Sequence, residues 1–573
     1  MGRSAWALPA LSGALQEFDP APRRPGGEIV AGGLHREAEE SHHRLFRSAG
    51  RVSAAVFLSR ITGLVREMVM ARLFGAGAVY DAFLLGFRIP NLTRDLFAEG
   101  ALSSAFVPTF TEYLTNKGKR AAAELSNLVG TALIVVVGGL CIAGIFGTPQ
   151  LVRLLAPGFL DVPGKFELAV LLTRIMFPFL LLVSLAAQAM GVLNACGRFG
   201  MPALSSTWFN VGSVAVGLAL GLTAGRLYGH GLIVCMAIGI VAGGAFQLLW
   251  QVPGLRRAGF HFQPRWGPRH PGLRQMLRLM LPAMLGNAAV QINVLVNTNF
   301  ASSIRDASGN VINGPVSWLG YAFRFMQLPL GLFGVALASA TLPAISRSAA
   351  AKRMDEFGAT LTRSLGTALL LTVPSSVGLA VLGESMIGVV YQWGRFRAVD
   401  THQTAVALAW YSAGLAGYAA IKLLAPAFYA LNDARTPMLV SAGSIAINLT
   451  VAYLLVRRAG MGHAGLALST SAVAMAGALI LLGLLRRRVH GLAVSRLGAS
   501  AAKILAAAAV MGVACRVSSG LIHEMLGVGK AAQFADVAVS IPLGVSIFYA
   551  VARLLQVEEL DGLLRVVARK PAR

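Results

Sequence analysis

Residues 101–108 read Ala101-Leu102-Ser103-Ser104-Ala105-Phe106-Val107-Pro108, and residues 336–343 read Ala336-Leu337-Ala338-Ser339-Ala340-Thr341-Leu342-Pro343. The pairing continues outward. Phe87-Arg88 returns as Phe323-Arg324, Gly130-Thr131-Ala132-Leu133 as Gly366-Thr367-Ala368-Leu369, Gly147 as Gly383 and Gly158 as Gly394, always at an offset of 235 or 236. Leu193-Asn194 and Pro202 echo Leu431-Asn432 and Pro437 with small shifts. A constant offset across several apolar segments marks an internal repeat. The unit holds six apolar spans, an even number, so both copies enter a membrane in the same sense. That makes two parallel lobes related by an axis along the membrane normal.

The spans themselves come from hydropathy. Of 573 residues, 55% are hydrophobic and 13% charged, and the mean hydropathy is +0.65. Apolar runs recur at spanning length over 52–74, 79–114, 127–148, 167–194, 203–223, 231–252, 277–303, 315–346, 361–382, 402–430, 437–456, 463–485, 500–520 and 534–555. Runs this long are helices, because a bilayer core offers the backbone no water to bond. The predicted fold is an all-α polytopic membrane protein of about fourteen transmembrane helices: two parallel six-helix lobes plus two extra C-terminal helices. Residues 49–255 form the N-lobe, 270–490 the C-lobe and 498–557 the last pair. Residues 1–48 read as a disordered tail and 558–573 as a C-terminal tail. The second and eighth spans are too long to be straight, and Pro90 and Pro329 are the expected kinks.

The net charge of +25 does not imply nucleic acid, because Lys and Arg collect in alternate loops. Lys117, Lys119 and Arg120; Arg256, Arg257, Arg265 and Arg269; Arg347, Lys352 and Arg353; and Arg486, Arg487 and Arg488 all fall on one side, with Arg457 and Arg458 the main exception. The positive-inside rule makes that side cytoplasmic, with both termini there. Cys141, Cys196, Cys235 and Cys515 have no metal-ligand spacing and read as small buried residues.

Charges at bilayer depth cost about 2.5–3.5 kcal/mol each on insertion scales, so each needs a partner or a wet cavity. The first span puts Ser59, Arg60, Thr62, Arg66 and Glu67 on one half of a helix and Phe57, Ile61, Leu64, Val65 and Met68 on the other. Its polar half is expected to line an aqueous cavity. In the second span, Asp81, Arg88, Asp95 and Glu99 form one stripe with Asn91 and Arg94 beside it, and the mixed signs predict pairing within the stripe. Arg324, at the repeat position of Arg88, has no neutralising neighbour in sequence, while Gln327, Gly331 and Gly334 share its side. Arg174 and Lys422 fit snorkelling or function equally. Gln291, Asn293, Asn297 and Asn299 make the seventh span polar. The sum is a cleft with excess guanidinium, which stays charged when desolvated and bonds phosphate in bidentate fashion. It suits a phosphate-bearing substrate, with or without a lipid tail, and is wrong for a cationic drug or a metal ion.

The stretch Ser59-Arg60-Ile61-Thr62-Gly63-Leu64-Val65-Arg66-Glu67, with Phe74-Gly75-Ala76-Gly77, Asp81-Ala82-Phe83, Pro90-Asn91-Leu92, Phe97-Ala98-Glu99-Gly100-Ala101 and Ala105-Phe106-Val107-Pro108, resembles the signature of the MurJ (MviN) family of lipid II flippases. Ala156-Pro157-Gly158-Phe159, Gly334-Val335-Ala336-Leu337 and Lys422-Leu423-Leu424-Ala425-Pro426 extend the resemblance over about residues 50–560. It implies the fold of the multidrug/oligosaccharidyl-lipid/polysaccharide exporters and a substrate of undecaprenyl-diphosphate carrying a disaccharide-pentapeptide. It implies substrate binding by Ser59, Arg60, Arg66, Asp81, Arg94 and Arg324, to which the repeat adds Arg88. Glu67, Asn91, Glu99, Gln327 and Lys422 stand in support, and the last two spans would hold the polyprenyl tail. Glu67 stands where relatives carry Asp, Asp95 where some carry a basic residue, and Phe323 and Gln327 where some carry acids. Spans 7 and 11 have no carboxylate, so a sodium site built from them is not expected.

The expected activity is alternating-access flipping of lipid II across the inner membrane for cell-wall synthesis. No cofactor is expected, and coupling falls to membrane potential or an ion, since no Walker A motif is present. Lipid II, membrane lipids and cell-wall synthesis proteins are the expected partners. No nucleophile–base pair is evident, so an enzyme is not expected. The rivals are a flippase for another polyprenyl-linked glycan, a multidrug/cation antiporter, which would want a carboxylate-dominated cavity, and a non-transporting scaffold for cell-wall synthesis.

Overall fold

The computed structural model describes residues 54–94, 102–224, 231–489 and 491–568. Glu99, Asp95 and the whole 1–48 segment lie outside the described residues. No named strand occurs among the described residues, only an isolated bridge between Arg305 and Val311.

The N-lobe begins with α1 (residues 54–74). It continues through α2 (Ala78–Arg94), α3 (Ser103–Asn116), α4 (Gly118–Leu155), α5 (Lys165–Met176), α6 (Pro178–Ala195), α7 (Gly200–Ala224), α8 (Gly231–Leu249) and the short α9 (Val252–Arg257). The C-lobe comprises α10 (Pro271–Ser302), α11 (Pro315–Pro329), α12 (Val335–Ala350), α13 (Met354–Tyr391), α14 (Ala398–Ser412), α15 (Leu415–Ala430), α16 (Arg435–Tyr453) and α17 (Gly462–Arg486). Then come α18 (Val494–Leu526), α19 (Lys530–Leu554) and α20 (Glu558–Ala568).

Among the described residues, ten helices are long and apolar enough to cross a membrane, or eleven if α14 and α15, bent by 43°, are one span. The segments α1, α2–α3 and α10 fall outside that set, and the sequence explains why: they carry the charges and amides on which the functional reading rests. Helices α4 and α13 outrun their apolar runs. At about 1.5 Å per residue, 38 residues reach well past a core of about 30 Å. Pro329 feeds a π-helical turn over Leu330–Gly334, the expected break in the long eighth span. Pro90, the other expected kink, lies inside α2 four residues before Arg94. In the C-terminal segment, Glu558 of α20 pairs with Arg496, and Glu559 accepts from the Ser500 hydroxyl.

Packing reproduces the repeat. Helix α2 lies on α5 as α11 lies on α14. Helix α3 packs on α4 and α6 as α12 packs on α13 and α15, and α7 pairs with α8 as α16 pairs with α17. Helices α18 and α19 pair with each other and dock on α13, leaving Val510, Val513, Val517, Leu521, Val539 and Val545 exposed. Those side chains suit a lipid face.

The basic loops share one end of the bundle. Within the N-lobe, Lys119 lies over the Phe260 ring and Arg265 pairs with Glu124. Within the C-lobe, Arg488 pairs with Asp433, which also accepts from Thr436 N at 3.0 Å and so caps α16. The Thr436 hydroxyl bond and the Arg488 guanidinium hold the Asp433 carboxyl down at about 2. The lobes are tied at the other end. Arg395 N donates to the Arg72 carbonyl at 3.0 Å, Arg305 pairs with Asp161 at 2.6 Å, and Asn299 donates to the Leu154 carbonyl at 2.8 Å. Gly314 has φ +117, and a Cβ there would sit 2.8 Å from the Ala76 carbonyl, so this crossing needs glycine on both counts.

Candidate functional site

Between the two ends, the cleft is built in layers from α1 and α2 on one side and α11 with its π-helical turn on the other. Helix α1 has the sidedness its pattern predicts. Phe57, Ile61, Leu64 and Val65 are exposed, whereas Arg66 and Glu67 are each only 13% exposed. Asn210 of α7 donates to the Ser59 carbonyl at 3.2 Å, fixing the polar half of α1 to the lobe. No hydrogen bond is described for the Ser59 hydroxyl.

The nearest layer to the basic end pairs Arg60 with the C-lobe. A methyl group on Gly331 would stand 3.3 Å from the Arg60 guanidinium, so glycine in the π-helical turn allows this approach. Next comes Glu67, the anchor of the cleft. It accepts from Arg324 Nε at 2.9 Å and from the Tyr391 hydroxyl at 3.2 Å, and Arg66 lies 3.8 Å away. Arg324 is 51% exposed, while the Arg66 guanidinium stacks at 5.3 Å over Phe209 and at 5.8 Å over Phe87. The sequence left Arg324 without a neutralising neighbour; the structure supplies Glu67, 257 positions earlier and from the opposite lobe. Two arginines, one from each lobe, thus meet at one carboxylate.

Arg88 and Arg324 occupy equivalent repeat positions but not the same layer chemistry. Arg88 is half-buried and donates through Nη1 to the hydroxyl of Thr298 on α10. Asn91 and Arg94 are half-buried near the end of α2, and Gln327 and Lys422 are exposed on α11 and α15. No hydrogen bond or ion pair is described for Gln327 or Lys422. Arg174 donates to the Ile145 carbonyl at 3.2 Å.

Below the arginines lies an aromatic layer. Tyr80 stacks on Tyr321 at 5.2 Å, and Tyr321 meets Tyr391 at 4.7 Å and the edge of Phe396 at 5.3 Å. Below that, Asp81 is fully buried. It pairs with Lys165 of α5 at 2.9 Å and accepts from Gly314 N at 2.8 Å, from Ser317 N at 2.9 Å and from the Ser317 hydroxyl at 2.6 Å. A carboxylate of one lobe therefore caps the first turn of α11 in the other, where the helix dipole favours an anion. Lys165 also donates to Asn313 at 2.8 Å. Pairing within the second span was expected from its mixed signs. Asp81 and Arg88 find partners on other helices, because residues seven apart stand about two turns from each other, while Asp95 and Glu99 of the same stripe lie outside the described residues.

Sequence reasoning missed Lys165, Thr298, Tyr391 and Asn210. Only Lys165 carried a signal, as a lone cation opening an apolar span. The polar residues of α10 have a visible role. Asn293 donates to Ser444, Asn297 donates to Thr470, and Asn448 donates to Asn297, fastening α10 to α16 and α17.

A parallel-lobed helical bundle with a charged central cleft is the architecture of the exporters whose lobes rock about a central site. Among solved structures it matches one titled "Lipid II flippase MurJ, inward closed conformation", with a TM-score of 0.70 at 25% identity over 88% of this chain and 98% of that one. A multidrug resistance MATE family transporter of the MOP superfamily, inward-facing, aligns with a TM-score of 0.65 over 76% of this chain and 95% of that one, at 14% identity, and so shares the fold. The family profile described as lipid II flippase MurJ matches residues 70–534. The "Lipid II flippase MurJ" of Burkholderia cenocepacia is 37% identical over 78% of this chain and 85% of its own length. The "Probable lipid II flippase MurJ" of Vibrio cholerae is 36% identical over 75% and 80%. The chain belongs to the lipid II flippase MurJ family.

Proposed function

We propose that this protein flips lipid II from the cytoplasmic to the periplasmic leaflet by alternating access. The observation that carries the reading is the Arg60–Arg66–Arg324 cluster, which faces across the cleft from both lobes with Glu67 between Arg66 and Arg324. In this account the diphosphate displaces Glu67 from Arg324 and takes bidentate bonds from the guanidinium groups. Arg88 and Arg94 add to the field, with Ser59, Asn91, Glu99, Gln327 and Lys422 in support. Asp81 serves a different end, holding the outer side shut while the headgroup loads.

The basic end faces the cytoplasm and carries both termini, as the positive-inside rule requires. The polyprenyl tail stays in lipid along α18 and α19, whose exposed valines and leucines suit it. When the lobes rock, the Asp81 layer parts and the headgroup leaves outward. No cofactor takes part. Membrane potential or an ion drives the cycle, a single charge being worth about 2.3 kcal/mol per 100 mV.

Binding to the purified protein in nanodiscs tests the cargo. Lipid II should bind, undecaprenyl diphosphate should compete, and Arg324→Ala should weaken both by about tenfold or more, the loss of one charge-assisted pair. Tighter binding of a different polyprenyl-linked glycan would reassign the cargo. No binding of any polyprenyl diphosphate would favour the scaffold.

A further inference from the structure

Away from the cleft, three helices converge on a second buried carboxylate. Asp536 of α19 is fully buried. Its Oδ2 accepts from the Ser519 hydroxyl of α18 at 2.7 Å and from the Ser385 hydroxyl of α13, and its Oδ1 accepts from the Ser540 hydroxyl at 2.6 Å. One turn nearer the helix start, buried Gln533 donates to Gln392 at 2.7 Å while its own Oε1 has no donor among the described residues. The junction is short of positive charge and of protons.

The surrounding charges do not make up the deficit. Lys530 of α19 is engaged with the Gly388 carbonyl and the Trp393 ring. On α13, Glu384 is exposed and pairs with His402 of α14 at 3.5 Å. On α18, Arg516 and Glu524 are exposed, and Cys515 contacts the Ser540 carbonyl. The basic group within ion-pair range is His523 of α18. Its Nδ1 lies 4.0 Å from Asp536 Oδ2 and 2.8 Å from the Ser519 carbonyl, and 29% of its side chain is exposed.

We infer that Asp536 and His523 form a proton-binding site that fastens the end of the α18–α19 hairpin to α13. It lies at the end opposite the basic loops, because Asp536 is six residues into α19, about 9 Å from its start, and His523 is three residues from the end of α18. One proton on the pair leaves it neutral overall, as imidazolium with carboxylate or as imidazole with carboxylic acid. Its release leaves an uncompensated anion at bilayer depth, which weakens the joint. Serine hydroxyls donate or accept, so the cage fits either state of Asp536. A sodium ion fits less well: the oxygens are at direct hydrogen-bond separations of 2.6 and 2.7 Å, and an ion between them would hold them further apart. The inference does not depend on the cargo of the cleft.

Hydrogen–deuterium exchange on the full chain in nanodiscs reads the joint directly. After correction for intrinsic exchange, the amides of 519–540 should be protected about tenfold more at about pH 5.5 than at about pH 8. Asp536→Asn and His523→Gln should each abolish that difference, while His402→Gln should leave it. Amides of α4 serve as the folding control; should Asp536→Asn fail it, His523→Gln decides alone. Protection independent of pH in the unsubstituted protein overturns the inference. So does a pH difference that survives both substitutions, or protection that follows exchange of sodium for potassium at fixed pH.

Discussion

Asp81 and Ser317 occupy the same position in the two repeats, 236 residues apart, and they bond to each other. Arg88 and Arg324 share the same offset, yet one is held by Thr298 and the other meets Glu67 in the open cleft. The backbone is repeated; the chemistry is not. Near the axis relating the lobes, equivalent residues must touch, and two identical carboxylates there would repel. An acid in one copy and a hydroxyl in the other turn that contact into a lock. Away from the axis, the same freedom leaves one arginine structural and the other exposed to solute.

Restoring the symmetry should therefore be damaging. Ser317→Asp would press a second carboxylate against Asp81 in a buried site, where leaving a charge uncompensated costs about 3–5 kcal/mol. The outer side should open, read as faster labelling of a cysteine in the cleft by an impermeant reagent added from the periplasm; labelling no faster than in the parent would remove the lock from the account. Arg88→Gln should act on the structural side of the comparison. Losing a half-buried charged donor to Thr298 should lower stability by about 1.5–3 kcal/mol, measured as the thermal midpoint in detergent, whereas Arg324→Gln, at a half-exposed side chain, should lower that midpoint less. Equal losses in both would erase the distinction.

Gly331→Ala sharpens the cleft itself. Its methyl would meet the mobile end of Arg60, which can yield, so binding should weaken only severalfold while folding is kept. The smallest effect lies at the basic end. Asp433→Ala removes a helix cap worth about 1 kcal/mol. The Asp433 carboxyl sits at about 2 when folded, below its ordinary value of about 3.9. Its stabilisation is therefore complete above about pH 4 and is lost as pH falls toward 2. Thermal midpoints of the variant and the parent should differ at neutral pH and converge in acid.

Much of this was legible in the sequence. The repeat, the helical class, the two-faced α1 and the arginine set follow from local spacing and hydropathy. What sequence could not supply were the partners. Lys165 is 84 residues from Asp81, Tyr391 is 324 from Glu67, and Ser385 is 151 from Asp536. Each of these pairings is made by packing, and local periodicity carries no trace of it. Asp536 and His523 were passed over for a related reason: a lone acid near the end of an apolar run looks like a boundary until three helices are seen to close on it.

The central claim is that the exposed member of the repeated arginine pair handles the diphosphate. In a bacterium depleted of its resident lipid II flippase, this gene should restore lipid II accessibility to a periplasmic probe that cleaves it. Arg324→Ala, present at equal membrane levels, should not. Restoration by both would contradict the account.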